Sequence, residues 1–179
     1  VLDLYDSPER VKELCNVVTD AFLTVIRTQK ELIPDFHGGS SMGFYHLWAP
    51  GECIWYQEDL SALVSPQLYR EFLLPFDSKL SSAHPYSAIH LHPASFFILD
   101  DLLEVESLKA IEINKDVGGP SIAEMLPAFK KVLERKRLMI WGSLDKEDIG
   151  IIMDELPSRG LFLHIVVSTV QEARDLMEY

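Results

Sequence analysis

Basic residues are scarce in this chain. Sixteen Lys and Arg stand against 28 Asp and Glu in 179 residues, a formal net charge of −12. A phosphate backbone is held by clustered Lys and Arg, so this composition argues against nucleic acid. It argues equally against an anionic membrane surface. Cysteine is nearly absent too. Cys15 falls in a helical pattern, Cys53 falls in a strand pattern, and no CxxC spacing occurs. Two buried thiols in a reducing compartment fit better than a disulfide framework, which points to the cytoplasm. No apolar run nears the roughly 20 residues of a membrane-spanning helix. No secretory pattern opens the chain, and Val1 rather than Met stands first, as in a processed form. No phosphate-loop pattern implies a nucleotide cofactor.

What remains is an ordinary globular composition, 47% hydrophobic and 25% charged. The length suffices for one domain with a sizeable core. Ser7-Pro8-Glu9 supplies a capping hydroxyl, a proline for the first helical position and an early acid. Val11, Leu14, Val18, Phe22 and Val25 then recur at helical spacing, which predicts a helix to about Leu32. Gly43–Trp48 and Cys53–Gln57 read as short extended pieces separated by Ala49-Pro50-Gly51. Ser65-Pro66 opens a second helix through Tyr69, Phe72 and Leu73, kinked at Pro75 and ending near His84-Pro85.

From Ser87 a rhythm sets in. Strands are predicted over Ser87–His92, Leu108–Asn114, Arg137–Gly142 and Leu161–Val167. Helices follow them over Ala94–Leu103, Ser121–Lys136, Asp145–Leu156 and Thr169–Met177. Ser121 with Glu124, and Ser168 with Gln171, have capping-box spacing. Such alternation implies βαβ crossovers and a parallel sheet. If the two early extended pieces act as one, there are five strand–helix units. Periodicity alone favours an open, doubly wound α/β sheet, because a (β/α)8 barrel needs eight units and about 250 residues. No repeat, low-complexity tract or linker divides the chain.

Particular segments change that expectation. Leu63–Pro75, with its Ser65-Pro66 helix start and its Phe72-Leu73-Leu74-Pro75 end, is distinctive. Together with Ala88–His92, Leu138–Asp145 and Thr169–Leu176, in that order, it resembles the C-terminal half of the uroporphyrinogen decarboxylase superfamily. That superfamily includes corrinoid-dependent methyltransferases on the same barrel. The resemblance runs from about Ser7 onward and implies a TIM-barrel-like (β/α)8 fold. This chain would supply roughly the C-terminal half as a single domain over 1–179. Departures accompany it. His92 stands where the family has Cys, and Pro93 where it has Gly. The late cysteine of the methyltransferase zinc site has no counterpart near Val166, where His164 is the nearest candidate ligand. The Arg-rich N-terminal segment that holds porphyrinogen carboxylates in decarboxylases is missing.

Barrel enzymes work at the C-terminal ends of their strands. Those ends carry Gln57, Glu58 and Asp59; His90 and His92; Asn114 and Asp116; Ser143 and Asp145; and His164. The strongest signal is His90-Leu91-His92. Alternation along a strand puts both imidazoles on one face, where they can share a metal, a proton or an anion. The functional reading is zinc or another divalent metal on His90 and His92, with Glu58 or Asp59 and His164 completing the shell. The structural reading is two histidines hydrogen-bonded to neighbouring carboxylates. Glu58 and Asp59 are candidate acid/base groups, set against simple capping of the loop before Leu60. Gln57, Glu112, Asn114, Asp116, Trp141 and Ser143 are candidate substrate contacts. Glu112 shares a face with Asn114, and an unpaired buried carboxylate is expensive, so it needs a partner, a raised pKa or water. Asp145 reads first as a helix cap, and His164 first as a core residue. The glycine-bearing 114–120 loop precedes a helix N-terminus and is weighed as an anion holder.

Arg10, Arg27, Arg70, Arg135, Arg137, Arg159 and Arg174 fall on helices or at strand beginnings, while the strand ends carry acids and imidazoles. That distribution repels an octacarboxylate and suits a metal-bound nucleophile. Of the two chemistries that the resemblance implies, this favours a methyltransferase-like enzyme of that superfamily, in which a metal lowers a thiol's pKa for attack on a methyl group. It would act on a small-molecule substrate, with a corrinoid protein as partner. One alternative is a uroporphyrinogen decarboxylase-type lyase acting on a tetrapyrrole. The other is a non-catalytic half-barrel module for binding or assembly. A half barrel leaves two unpaired edges, which invite a homodimer or pairing with an N-terminal half.

Overall fold

The computed structural model describes residues 1–42 and 46–178. Two short strands, β1 (Ser40–Met42) and β2 (Leu47–Ala49), pair antiparallel. The other five form one parallel sheet: β3 (Cys53–Gln57), β4 (Tyr86–Leu91), β5 (Ala110–Lys115), β6 (Arg137–Gly142) and β7 (Leu161–Ile165). The two early extended pieces thus belong to different sheets and do not act as one unit. Part of the expected Gly43–Trp48 strand, at 43–45, lies outside the described residues.

Within the parallel sheet each strand pairs with the next one in the chain. The order never reverses, so the doubly wound expectation fails: there is no topological switch point. Successive crossovers of one hand carry the intervening helices to one face. The apolar core lies there and joins Ile54, Ile89, Ile111, Ile113, Leu138 and Ile140 to Leu102, Met125, Phe129 and Ile152. The opposite face carries, by register and alternation, Trp55, Ala88, His90, Glu112, Met139, Trp141, Phe162 and His164. The β1–β2 hairpin covers the end of that face nearest the strand N-termini.

Helix α1 (Asp3–Asp6) precedes the long α2 (Pro8–Leu32). The hydroxyl of Ser7 caps nothing, and its backbone N–H donates back to Asp3 O. The predicted Ser65–Pro85 helix is two pieces, α3 (Pro66–Phe72) and α4 (Leu74–Ser82), divided at Leu73. Pro75 has no N–H to offer the preceding turn, so the ladder breaks there. A 3-10 turn (Pro93–Ile98) leads into α5 (Leu99–Glu104). Capping boxes open α6 (Ile122–Leu133), from Ser121 and Glu124, and α7 (Lys146–Glu155), from Asp145 and Asp148. At α8 (Val170–Met177) the cap is Thr169 rather than Ser168, and Glu172 accepts the Ser168 N–H. Cys15 and Cys53 are free thiols, half-buried rather than buried. No helix among the described residues is long and apolar enough to cross a membrane.

Candidate metal centre

His90 sits on β4 between two neighbours fixed by register, Gln57 on β3 and Glu112 on β5. Two residues on, His92 precedes the 3-10 turn with extended backbone, so alternation continues and both rings emerge on the helix-free face. Each ring is held from behind. The N–H of His90 Nδ1 donates to Glu112 Oε2 in a buried, short contact. His92 Nδ1 lies 2.8 and 3.0 Å from the two carboxylate oxygens of Asp116, and Asn114 Nδ2 donates to the nearer of them.

Carboxylate partners keep the protons on the two Nδ1 atoms, which leaves each Nε2 with its lone pair. The two Nε2 atoms face one another at 3.0 Å, with the rings perpendicular at 90°. Two lone pairs that close repel unless a proton or a cation stands between them. A tetrahedral divalent ion about 2.0–2.1 Å from each nitrogen would separate them by roughly 3.3 Å. Asp59 completes the group: its Oδ1 is 3.9 Å from His90 Nε2 and 3.8 Å from His92 Nε2. Its other oxygen accepts from Gln57 Nε2 at 2.9 Å, which aims Oδ1 at the histidines. One ligand atom from each of Asp59, His90 and His92 lies within 4.8 Å of the others. Two imidazoles and one carboxylate suit zinc or another first-row divalent ion, and they leave positions for solvent or substrate.

Several candidates fall behind the imidazoles rather than before a substrate. Glu112 and Asp116 anchor His90 and His92, and Asn114 anchors Asp116. Burial raises the Glu112 pKa, opposed by the hydrogen bond and charge of His90. The 114–120 loop presents the Asp116 carboxylate, which is the wrong charge for an anion site. Trp141 stands between His90 and His164, its ring 6.3 Å from the first and 6.4 Å from the second. His164 is therefore not brought into the ligand group. It lies against His46 at 5.2 Å, and burial, followed by the His46 charge, lowers its pKa. Ser143 is exposed past the end of β6, and Asp145 caps α7.

Glu58 is not brought to the histidines either. It lies against Asp77 of α4, on the helix-covered side. Burial foremost, then the charge of Asp59, pushes its pKa up to about 7, against the lowering effect of its hydrogen bond to Asp77. Asp77 is fully buried, and burial raises its pKa too. Tyr69 donates its O–H to Asp77 Oδ2 at 2.5 Å, and Tyr56 donates to the Asp77 carbonyl at 3.3 Å. Two such carboxyls side by side share a proton rather than both ionise. Sequence reasoning missed Asp77 and Tyr69. The available signal was parity: Glu58 alternates with Gln57 and Asp59 and so falls on the Tyr56 side.

No family model, curated protein or solved structure matches this chain.

Proposed function

We propose that this chain binds a divalent metal ion through His90, His92 and Asp59 and is a methyltransferase-like enzyme of the uroporphyrinogen decarboxylase superfamily, corresponding to about half of its barrel. One observation carries the metal reading. Two Nε2 atoms converge at 3.0 Å beside Asp59 Oδ1, while a carboxylate holds each Nδ1. The sequential parallel sheet with helices on one side supports the half-barrel reading.

A bound divalent ion supplies Lewis acidity, lowering the pKa of a thiol or water that joins it. The chain's own residues set the rest. Glu112 and Asp116 fix the tautomer and orientation of the imidazoles. Asp59 contributes one negative charge from a half-exposed position at the mouth. Trp55 and Trp141, with ring centroids 6.1 and 6.3 Å from that of His90, limit water on both sides of it. A small-molecule substrate and a corrinoid protein are the partners that the resemblance to the superfamily implies. Acids and imidazoles at the strand tips disfavour the tetrapyrrole lyase, whose substrate is a polyanion. An assembly module is the second reading, favoured by β3 and β7 standing at the sheet edges and by Phe162 being 40% exposed on the helix-free face.

The test is metal analysis of protein purified without a His tag, followed by zinc titration. One ion per chain, lost in both His90→Ala and His92→Ala, is the expected result. Protein of normal stability that takes up no zinc, cobalt, nickel or iron would overturn the proposal and leave a proton-sharing histidine pair. Light scattering separates the second reading: an inert, metal-free oligomer supports it.

A further inference from the structure

Beneath the β1–β2 hairpin lies a cavity of about 320 Å³ that the metal centre does not use. Leu47 and Trp48 of the hairpin form one wall, and Ala88, Met139 and Phe162 of the helix-free sheet face form the other. The cavity is apolar along its length and charged at its two ends.

Glu112 belongs to its inner wall, at the level of Met139. This residue is 1% exposed, and His90 occupies Oε2. Its Oε1 is buried with no hydrogen-bond partner among the described residues. A buried carboxyl oxygen left without a donor is costly, and such groups are rare without a reason. At the other end stands Arg137, the first residue of β6, paired in register with Ala110 and exposed. Arg137 makes no ion pair or side-chain hydrogen bond among the described residues. Glu112 lies two residues farther along than Ala110 on the same face, an offset of about 7 Å at the strand rise.

We propose that this cavity is a binding site for a small zwitterion. An ammonium group donates to Glu112 Oε1, an apolar body lies against Met139 and Phe162, and a carboxylate meets Arg137. The volume suits about ten non-hydrogen atoms, at roughly 30 Å³ for each. A lone amine would meet the repulsion of Arg137 and Lys109 at the rim, and a lone carboxylate would meet Glu112. Only a ligand with both charges, separated by an apolar spacer, satisfies both ends. The proposal does not rest on the metal reading, because the cavity and both of its charged ends are present without an ion.

The experiment uses the full chain stripped of metal with a chelator, so that its outcome is independent of zinc. ε-Aminocaproate is titrated by calorimetry and by ligand-observed NMR, beside n-hexylamine and n-hexanoate. Saturable one-to-one binding of ε-aminocaproate is expected, at least tenfold tighter than either single-charge analogue. Arg137→Ala, an exposed position that leaves the fold intact, is expected to weaken it at least tenfold. Ala110→Leu, which fills the cavity, is expected to abolish it. Absence of saturable binding overturns the proposal. So does binding that Arg137→Ala leaves unchanged, or n-hexylamine binding as tightly as ε-aminocaproate.

Discussion

Asp116 offers the sharpest test of how the imidazoles are held. It touches no ligand position itself; its oxygens lie 2.8 and 3.0 Å from His92 Nδ1, on the far side of the ring from Nε2. Removing such a carboxylate partner weakens metal affinity by about 10–100-fold, or roughly 1.4–2.7 kcal/mol. Two features place Asp116→Asn at the lower end. The side chain is 31% exposed, so solvent already screens its charge. Oδ1 also accepts from both His92 and Asn114, so a single amide oxygen can keep both hydrogen bonds while the charge is lost. About tenfold weaker zinc binding is therefore expected for Asp116→Asn, and nearer hundredfold for Asp116→Leu, which removes the acceptor as well. Competition against a chromogenic chelator at fixed pH reads the difference directly. A purely structural Asp116 would lower the melting temperature of the metal-free protein and leave zinc affinity alone. Zinc binding within twofold of the parent in both variants would refute the reasoning.

The helix-covered side makes separate predictions. Glu58 has a raised folded pKa, so the folded state holds its proton more tightly than the unfolded chain does. Stability should fall as pH rises from about 4.5 through about 7. Glu58→Gln should flatten that fall, as followed by urea unfolding at a series of pH values; an unchanged pH slope would contradict the assignment. Tyr69→Phe removes the hydroxyl that donates to Oδ2 of fully buried Asp77 and should cost about 1–3 kcal/mol in the same assay. Gly142 has φ +145°, and an added Cβ would lie 2.8 Å from Lys115 Cβ and 3.0 Å from its carbonyl oxygen. Gly142→Ala should therefore lower the melting temperature by more than an exposed-site change does. Phe129→Ala, at a fully buried core position, should cost about 3–5 kcal/mol by denaturant unfolding.

Local signals transferred well where the interaction is itself local. Ser65, Ser121 with Glu124, and Asp145 cap the helices that their spacing predicted. At 168–169 two hydroxyls compete for one helix start, and Thr169 takes it: its Oγ1 accepts the Glu172 N–H, while Glu172 Oε2 accepts the Ser168 N–H. The strand expectations from Ser87 onward lie within two residues of the observed ends. Pairing was less legible. Nothing in Leu47–Ala49 says that it turns back on Ser40–Met42 instead of joining Cys53–Gln57. His90 and His92 announced themselves by spacing, but the roles of Glu112 and Asp116 behind them depend on the register between β4 and β5.

The amino-acid order alone determined the acidic surface, the alternation of strands and helices, and which side chains share a strand face. Each of these follows from composition or from a period of two or 3.6 residues, properties carried within one segment. Only the tertiary structure decided that the strands lie in chain order, that Asp77 is the group Glu58 meets on the Tyr56 side, and that Asp59 meets the histidines. Those outcomes depend on contacts between segments tens of residues apart. Register and burial set such contacts, and no local periodicity records them.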